Sequence, residues 1–346
     1  MARDRFVLDR RPARPPLDPW RYQDLIVEDE RTADGSAART ATVFLTGREC
    51  PWRCVMCDLW RHTITEDTPR GAIPAQLAAA RAHLSLEPSA VTQIKLYNAG
   101  NFFDPRAVPE QDYPAIAATL AGFRHVIVES HPALVGDRVD RWLEALGADA
   151  HRGDAPRLEV AMGLETVHPG ALDRLNKRMT VDQFADAADA LTRRGAGLRV
   201  FQLIAPPFVP IEEQPEWLLR SVDAAFDCGA SVVTLIPTRT GNGALEALSA
   251  DGLFRQPALD DVERSVEEAL TRARGRGRLF VDVWDLGRFS DCPSCLGERR
   301  DRLHRMNLEQ RILPPIVCAQ HLDRADPSGL PRGGPGKARP TDGWFR

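Results

Sequence analysis

At 346 residues, 43% hydrophobic and 27% charged, the chain is long enough to bury the core of one large domain with a small appendage. Its 45 basic and 49 acidic side chains leave a net charge of −4, so charge alone marks no polyanion-binding surface. No apolar run is long enough to cross a membrane, and no apolar segment comes after the opening Met-Ala-Arg-Asp-Arg, so neither a span nor a secretory leader is expected.

Seven cysteines in ligand-like spacings, without export features, point to a reducing, cytoplasmic setting and to metal binding rather than disulfides. Residues 1–39 are rich in Arg, Asp and Pro, with scattered Trp20, Tyr22, Leu25 and Ile26, and read as an extension that wraps over the rest of the fold. From Ala41 the pattern becomes regular. Apolar runs predict strands at Ala41–Leu45, Gln93–Tyr97, His125–Glu129, Leu158–Met162, Leu198–Ile204, Ser231–Ile236 and Leu279–Val283. Helical stretches fall between them at Pro74–Leu84, Tyr113–Leu120, Asp137–Leu146, Val181–Arg194, Trp217–Phe226 and Asp260–Ala273. The alternation predicts an α/β fold of six or seven parallel βα units, too few for a closed eight-unit barrel. Ligands in such folds bind at the carboxyl ends of the strands, so the residues just past each strand supply the candidate site.

The first strand runs into Gly47-Arg48-Glu49-Cys50-Pro51-Trp52-Arg53-Cys54-Val55-Met56-Cys57. Three thiolates spaced C-x3-C-x2-C can converge on one metal centre, and on a four-iron cluster they leave one iron without a protein ligand. The residues alone also allow half of a zinc site, with His62 the only close histidine, or a redox pair with a bystander. The motif and its place after the first strand resemble the radical S-adenosylmethionine (SAM) enzymes. The resemblance implies an open, partial (β/α)6 barrel over residues 40–285. It implies a [4Fe-4S] cluster on Cys50, Cys54 and Cys57, with SAM on the fourth iron. It further implies reductive cleavage of SAM to a 5'-deoxyadenosyl radical that takes hydrogen from the substrate, with flavodoxin or ferredoxin as the one-electron donor. Where the family usually carries an aromatic residue before the third cysteine this chain has Met56, a soft apolar side chain that can still shield a cluster.

After the second strand, Asn98, Gly100 and Asn101 offer close backbone approach and amide hydrogen bonds, where the family holds the SAM amino group. Glu129 ends the third strand and could accept from ribose hydroxyls or pair with the amine. The fourth gives Met162-Gly163-Leu164-Glu165, then Leu175-Asn176-Lys177-Arg178. This pair resembles the branch containing the elongator catalytic subunit and the radical SAM subunit of archaeosine synthase, and implies that Glu165 lies near SAM or substrate. The Pro-Pro-Phe step after the fifth strand and the Ile-Pro-Thr run after the sixth resemble the same branch. By that likeness Gln202 and Pro206 border the adenine, while Thr238 and Arg239 face substrate.

Past the barrel, residues 286–324 hold a C-x2-C knuckle, Cys292 and Cys295, and a C-x2-H pair, Cys318 and His321. Two such knuckles are what a structural zinc site needs, and an auxiliary iron-sulfur cluster or unliganded thiols are the alternatives. Residues 325–346, Pro- and Gly-rich with Trp344, read as a flexible tail. The resemblance points to a modified tRNA base as substrate, yet no basic stripe or RNA-binding module is present, so a partner subunit would supply the RNA contacts. A small molecule or peptide is the rival substrate. An electron carrier or interaction module is the reading from another class; it would need four protein ligands per cluster. An elongator-like acetyl transfer would need a further domain.

Overall fold

The structure is a computed structural model that describes residues 2–87, 89–98, 100–148 and 155–322, the side chains of 321 and 322 excepted. Eight strands form one sheet in chain order: β1 (Asp24–Arg31), β2 (Ala37–Phe44), β3 (Gln93–Tyr97), β4 (His125–Glu129), β5 (Arg157–Glu165), β6 (Gly197–Ile204), β7 (Val232–Pro237) and β8 (Arg278–Val281). Strands β2 to β8 are parallel, β1 runs antiparallel to β2, and β8 does not pair with β1, so the barrel is open. The helices are α1 (Ala2–Leu8), α2 (Ala72–Leu84), α3 (Tyr113–Thr119), α4 (Asp137–Ala148), α5 (Pro169–Arg174), α6 (Val181–Arg193), α7 (Gln214–Asp227), α8 (Ala244–Ala250), α9 (Leu259–Ala273), α10 (Pro293–Glu309) and α11 (Ala319–Leu322).

All seven expected strands are present, and the sheet starts earlier than expected. Asp24–Arg31, read from sequence as part of a wrapping extension, is a strand of the sheet. Leu25 and Val27 pack on the main core, while Ile26, Glu28 and Glu30 face the lumen, so no continuous apolar run marks it. Its turn to β2 is fastened by Asp34, which accepts from the Thr32 hydroxyl at 2.5 Å and the Ser36 amide at 2.9 Å. The main core lies between the outer face of the sheet and the helices, with Trp142, Phe102, Phe103 and Phe184 fully buried.

Helix α10 closes the open side, packing on both β1 and β8. Two side-chain amides, Asn307 in α10 and Gln310 at its C-cap, act as a substitute strand for the free edge of β8. Asn307 exchanges hydrogen bonds with the Val281 N–H and C=O, each at 2.9 Å, and Gln310 does so with Leu279, each at 2.8 Å. An unpaired edge is otherwise a template for another chain. Arg302, buried in mid-helix, binds Glu267 at 2.5 Å and donates to the Leu313 and Pro314 carbonyls, which lays residues 311–317 back along α10. The expected tail at 325–346 lies outside the described residues.

Candidate cluster and cofactor site

The lumen encloses about 1040 Å³. Cys50, Cys54, Cys57, Gly100, Asn101, Glu129 and Glu165 all line it, with Lys177 and Arg239. Asn98, Gln202 and Pro206 do not: each is buried, and the Gln202 amide donates to the Ser221 carbonyl at 2.9 Å. Thr238 is buried with its hydroxyl unpartnered among the described residues.

The cysteine loop leaves β2 through buried Leu45 and returns at Ile64, whose backbone bonds to Gly47 and Glu49 close it at its base. Side chains from elsewhere hold it along its length. Asn176 donates to the Arg53 carbonyl at 2.8 Å, Asn242 to that of Val55 at 2.8 Å, and the Val55 amide donates to the Leu175 carbonyl at 2.9 Å. From outside, Phe6 and Val7 of α1 pack with Val55, Leu175 and Leu245 in a second apolar cluster. Gly243 sits at φ +86° where a Cβ would strike the Arg10 carbonyl, so the N-terminal arm lies flat against this wall. Arg11 at 2.7 Å and Arg14 clamp the largely covered Glu49 carboxylate. Burial alone would raise its pKa, but the two guanidiniums more than offset this and hold it below the usual carboxylate value. Both arginines also lie over the Trp60 ring.

Inside, Lys177 pairs with Glu165 at 2.5 Å, both buried. Gly163 makes room for that pair, since a Cβ there would collide with both charged groups. Backbone conformation is unusual around it: Glu165, Asn176 and Arg178 all have positive φ, at 69°, 58° and 57°. Burial pushes the thiols of Cys54 and Cys57 up, Cys57 to about 12, and the Lys177 ammonium pulls Cys54 back toward the thiolate. The Asn101 amide donates to Cys50 Sγ at 3.1 Å and its oxygen accepts from the His131 amide at 2.5 Å. His131 had no role readable from sequence. Its ring stacks on Trp52 of the cysteine loop at 3.8 Å, its Nδ1 accepts from the Ala133 amide, and its Nε2 donates to the Lys177 carbonyl at 3.0 Å. Burial and the nearby Lys177 ammonium lower its pKa to about 3, so it is a neutral prop.

Glu129 is half-buried in the lumen wall, and desolvation of its carboxyl raises the pKa to about 8, despite the Asn98 amide and Lys177. Both atoms of the Asn98 side-chain amide lack partners among the described residues. A desolvated carboxyl in the same lumen as a loop of three thiols is a donor set that suits a cationic, amine-bearing ligand on an open cluster. The residues present therefore fit the cluster and SAM.

Sequence patterns missed the lower lumen. Arg199 lies between Glu30 at 2.5 Å and Glu159 at 2.6 Å, and Lys95 reaches Glu30 at 2.5 Å, all four buried. Charged residues within apolar strand runs were the available signal. Higher up, Arg239 bridges Asp58 of the cysteine loop at 3.2 Å and Asp282 at 4.0 Å. Phe44, Tyr97, Phe201 and Trp284 form a chain of edge-on ring contacts in the lumen wall. At the head of α10 the sulfurs of Cys292, Cys295 and Cys318 lie within 4.8 Å of one another. The side chain of His321 lies outside the described residues.

No family model matches the chain. It is 26% identical over 321 residues to archaeosine synthase subunit beta of Methanosarcina acetivorans, spanning 89% of this chain and 88% of that one. An uncharacterized protein of Methanocaldococcus jannaschii is 21% identical over 304 residues, 83% of this chain and 80% of that one. Among solved structures, the archaeal Elp3 of Methanocaldococcus infernus superposes with a TM-score of 0.52 at 11% identity, over 68% of this chain and 59% of that one. That likeness is one of fold. Among the described residues no helix is long and apolar enough to cross a membrane.

Proposed function

We infer the function from one premise: the chain is a radical SAM enzyme, similar along most of its length to archaeosine synthase subunit beta. We propose that Cys50, Cys54 and Cys57 hold a [4Fe-4S] cluster, with SAM bound among Gly100, Asn101, Glu129 and Glu165. When bound, this pair supplies an organic radical by one-electron cleavage of SAM, fed by an external donor such as flavodoxin or ferredoxin. The chain's own residues do the rest. Lys177 favours the thiolate of Cys54, Asn101 orients Cys50, and His131 with Trp52 holds the loop in place. Glu129 presents a carboxylate whose charge a ligand amine would stabilise. The arm carrying Arg11 and Arg14 covers the outer side of the loop and helps exclude water.

The observation that carries this reading is the donor set of three lumen-facing thiols with the desolvated carboxyl of Glu129 in the same lumen. For the substrate we propose a modified tRNA base. The lumen offers about 1040 Å³ and four aromatic walls to a planar ring, and the named relative is a subunit, so RNA contacts would come from a partner chain. A small molecule or peptide is the second reading, favoured by Asp24, Glu28 and Asp282 in the lumen wall. Anaerobic reconstitution with iron and sulfide, then dithionite and SAM, should yield 5'-deoxyadenosine from the unmodified chain and none from Cys54→Ala. A cluster that forms yet never cleaves SAM would favour an electron carrier. Deuterium appearing in 5'-deoxyadenosine from deuterated tRNA, against a deuterated small-molecule pool, separates the two substrates.

A further inference from the structure

We propose that Cys292, Cys295 and Cys318 hold a single tetrahedral zinc ion that fastens the C-terminal return of the chain to the head of α10, with His321 the candidate for the fourth position on its C-x2-H spacing alone. Nothing in this rests on the radical SAM reading. The sulfur spacing decides between the metals the sequence left open. Thiolates on one tetrahedral zinc, each about 2.3 Å from the ion, stand roughly 3.8 Å apart. Cysteines on three corners of a four-iron cube stand roughly 6 Å apart. Here Cys292 Sγ and Cys318 Sγ are 4.0 Å apart and all three sulfurs fall within 4.8 Å. An ion fits between them with little movement; a cube would have to force them apart.

The surrounding chain builds the same arrangement. Cys292 is the N-cap of α10 and Cys295 sits in its first turn after Pro293, so both sulfurs gather at a helix end that favours negative charge. Both are buried, at 2% and 3% exposure. Arg302 pins the returning strand of chain at Leu313 and Pro314, which brings Cys318 back to the start of the helix. Ser294 then donates to Gln320 at 2.5 Å, locking α11 beside the knuckle. His321 comes after Cys318 at the C-x2-H spacing. None of the three cysteines is in a disulfide.

The test uses the full chain with Cys50, Cys54 and Cys57 all replaced by Ala, so that failure of the barrel cluster cannot be mistaken for failure of this site. Metal analysis should find one zinc per chain and no acid-labile sulfide, and Cys318→Ser in that background should lose the zinc. Because that variant could fail to fold, zinc-edge X-ray absorption on the otherwise unmodified chain gives a second readout. Three sulfurs at about 2.3 Å with one nitrogen and no metal–metal scattering are expected, the nitrogen disappearing in His321→Ala. Iron with sulfide at this site, or a metal-free chain whose three thiols all react with a disulfide reagent, overturns the proposal. A nitrogen unchanged in His321→Ala overturns the ligand set.

Discussion

A methyl group at position 163 would displace the Glu165 carboxylate and the Lys177 ammonium from the pairing they hold against the lumen wall. Gly163→Ala should therefore cost about 1–3 kcal/mol in chemical denaturation and weaken cluster retention by moving Lys177 away from Cys54. A variant as stable and as iron-loaded as the parent would show that the pair can be rehoused. Glu129 gives a pH signature. Its folded pKa, about 8, lies above its ordinary value of 4.5, so its contribution to stability is fully present below 4.5 and is lost as pH rises through 8. The melting temperature of the SAM-free chain should fall across that window, and Glu129→Gln should flatten the part of the slope that Asp282, raised by burial to about 6, does not supply. An identical slope in the variant would mean that Glu129 does not titrate there. That Cys50, Cys54 and Cys57 meet in one lumen was legible from their spacing after the first strand. The Lys177–Glu165 pair, the His131–Trp52 stack and the charged groups around Arg199 could not, because each joins residues far apart in sequence whose meeting depends on the curl of the sheet.

Among the elements, β3 and β4 match their sequence-predicted bounds because short apolar runs ended by polar residues leave little choice. Helix α10 could not be recognised in the same way. Its buried face includes Arg299 and Arg302, which read as solvent-facing until Glu263 and Glu267 of α9 are placed against them. Its amides are testable: Asn307→Ala with Gln310→Ala strips the partners from four backbone groups of β8 and should cost about 1–3 kcal/mol per unsatisfied group that stays buried. Faster hydrogen exchange at Val281 and Leu279 would report it; unchanged protection there would mean the edge has another cover. The N-terminal arm is the second such element. Arg11→Ala with Arg14→Ala leaves Glu49 with Arg53 alone at 3.2 Å and should cost about 3 kcal/mol. Less iron should then survive gel filtration in air. Iron retention equal to the parent's would reduce the arm to a passive cover.

At the scale of the whole molecule, the repeating βα pattern made the open barrel legible, and the antiparallel β1 and the helix across the gap were not, since both contribute polar faces to the lumen or to other charged helices. That closing helix has a bearing on how copies of the chain meet. With the rim of β8 satisfied by amide side chains, that end of the sheet offers no template onto which a second copy could add a strand. Self-association by zipping there must wait until α10 has lifted, so the slow step in any fibre grown from the β8 end should be the detachment of one helix rather than the unfolding of the barrel.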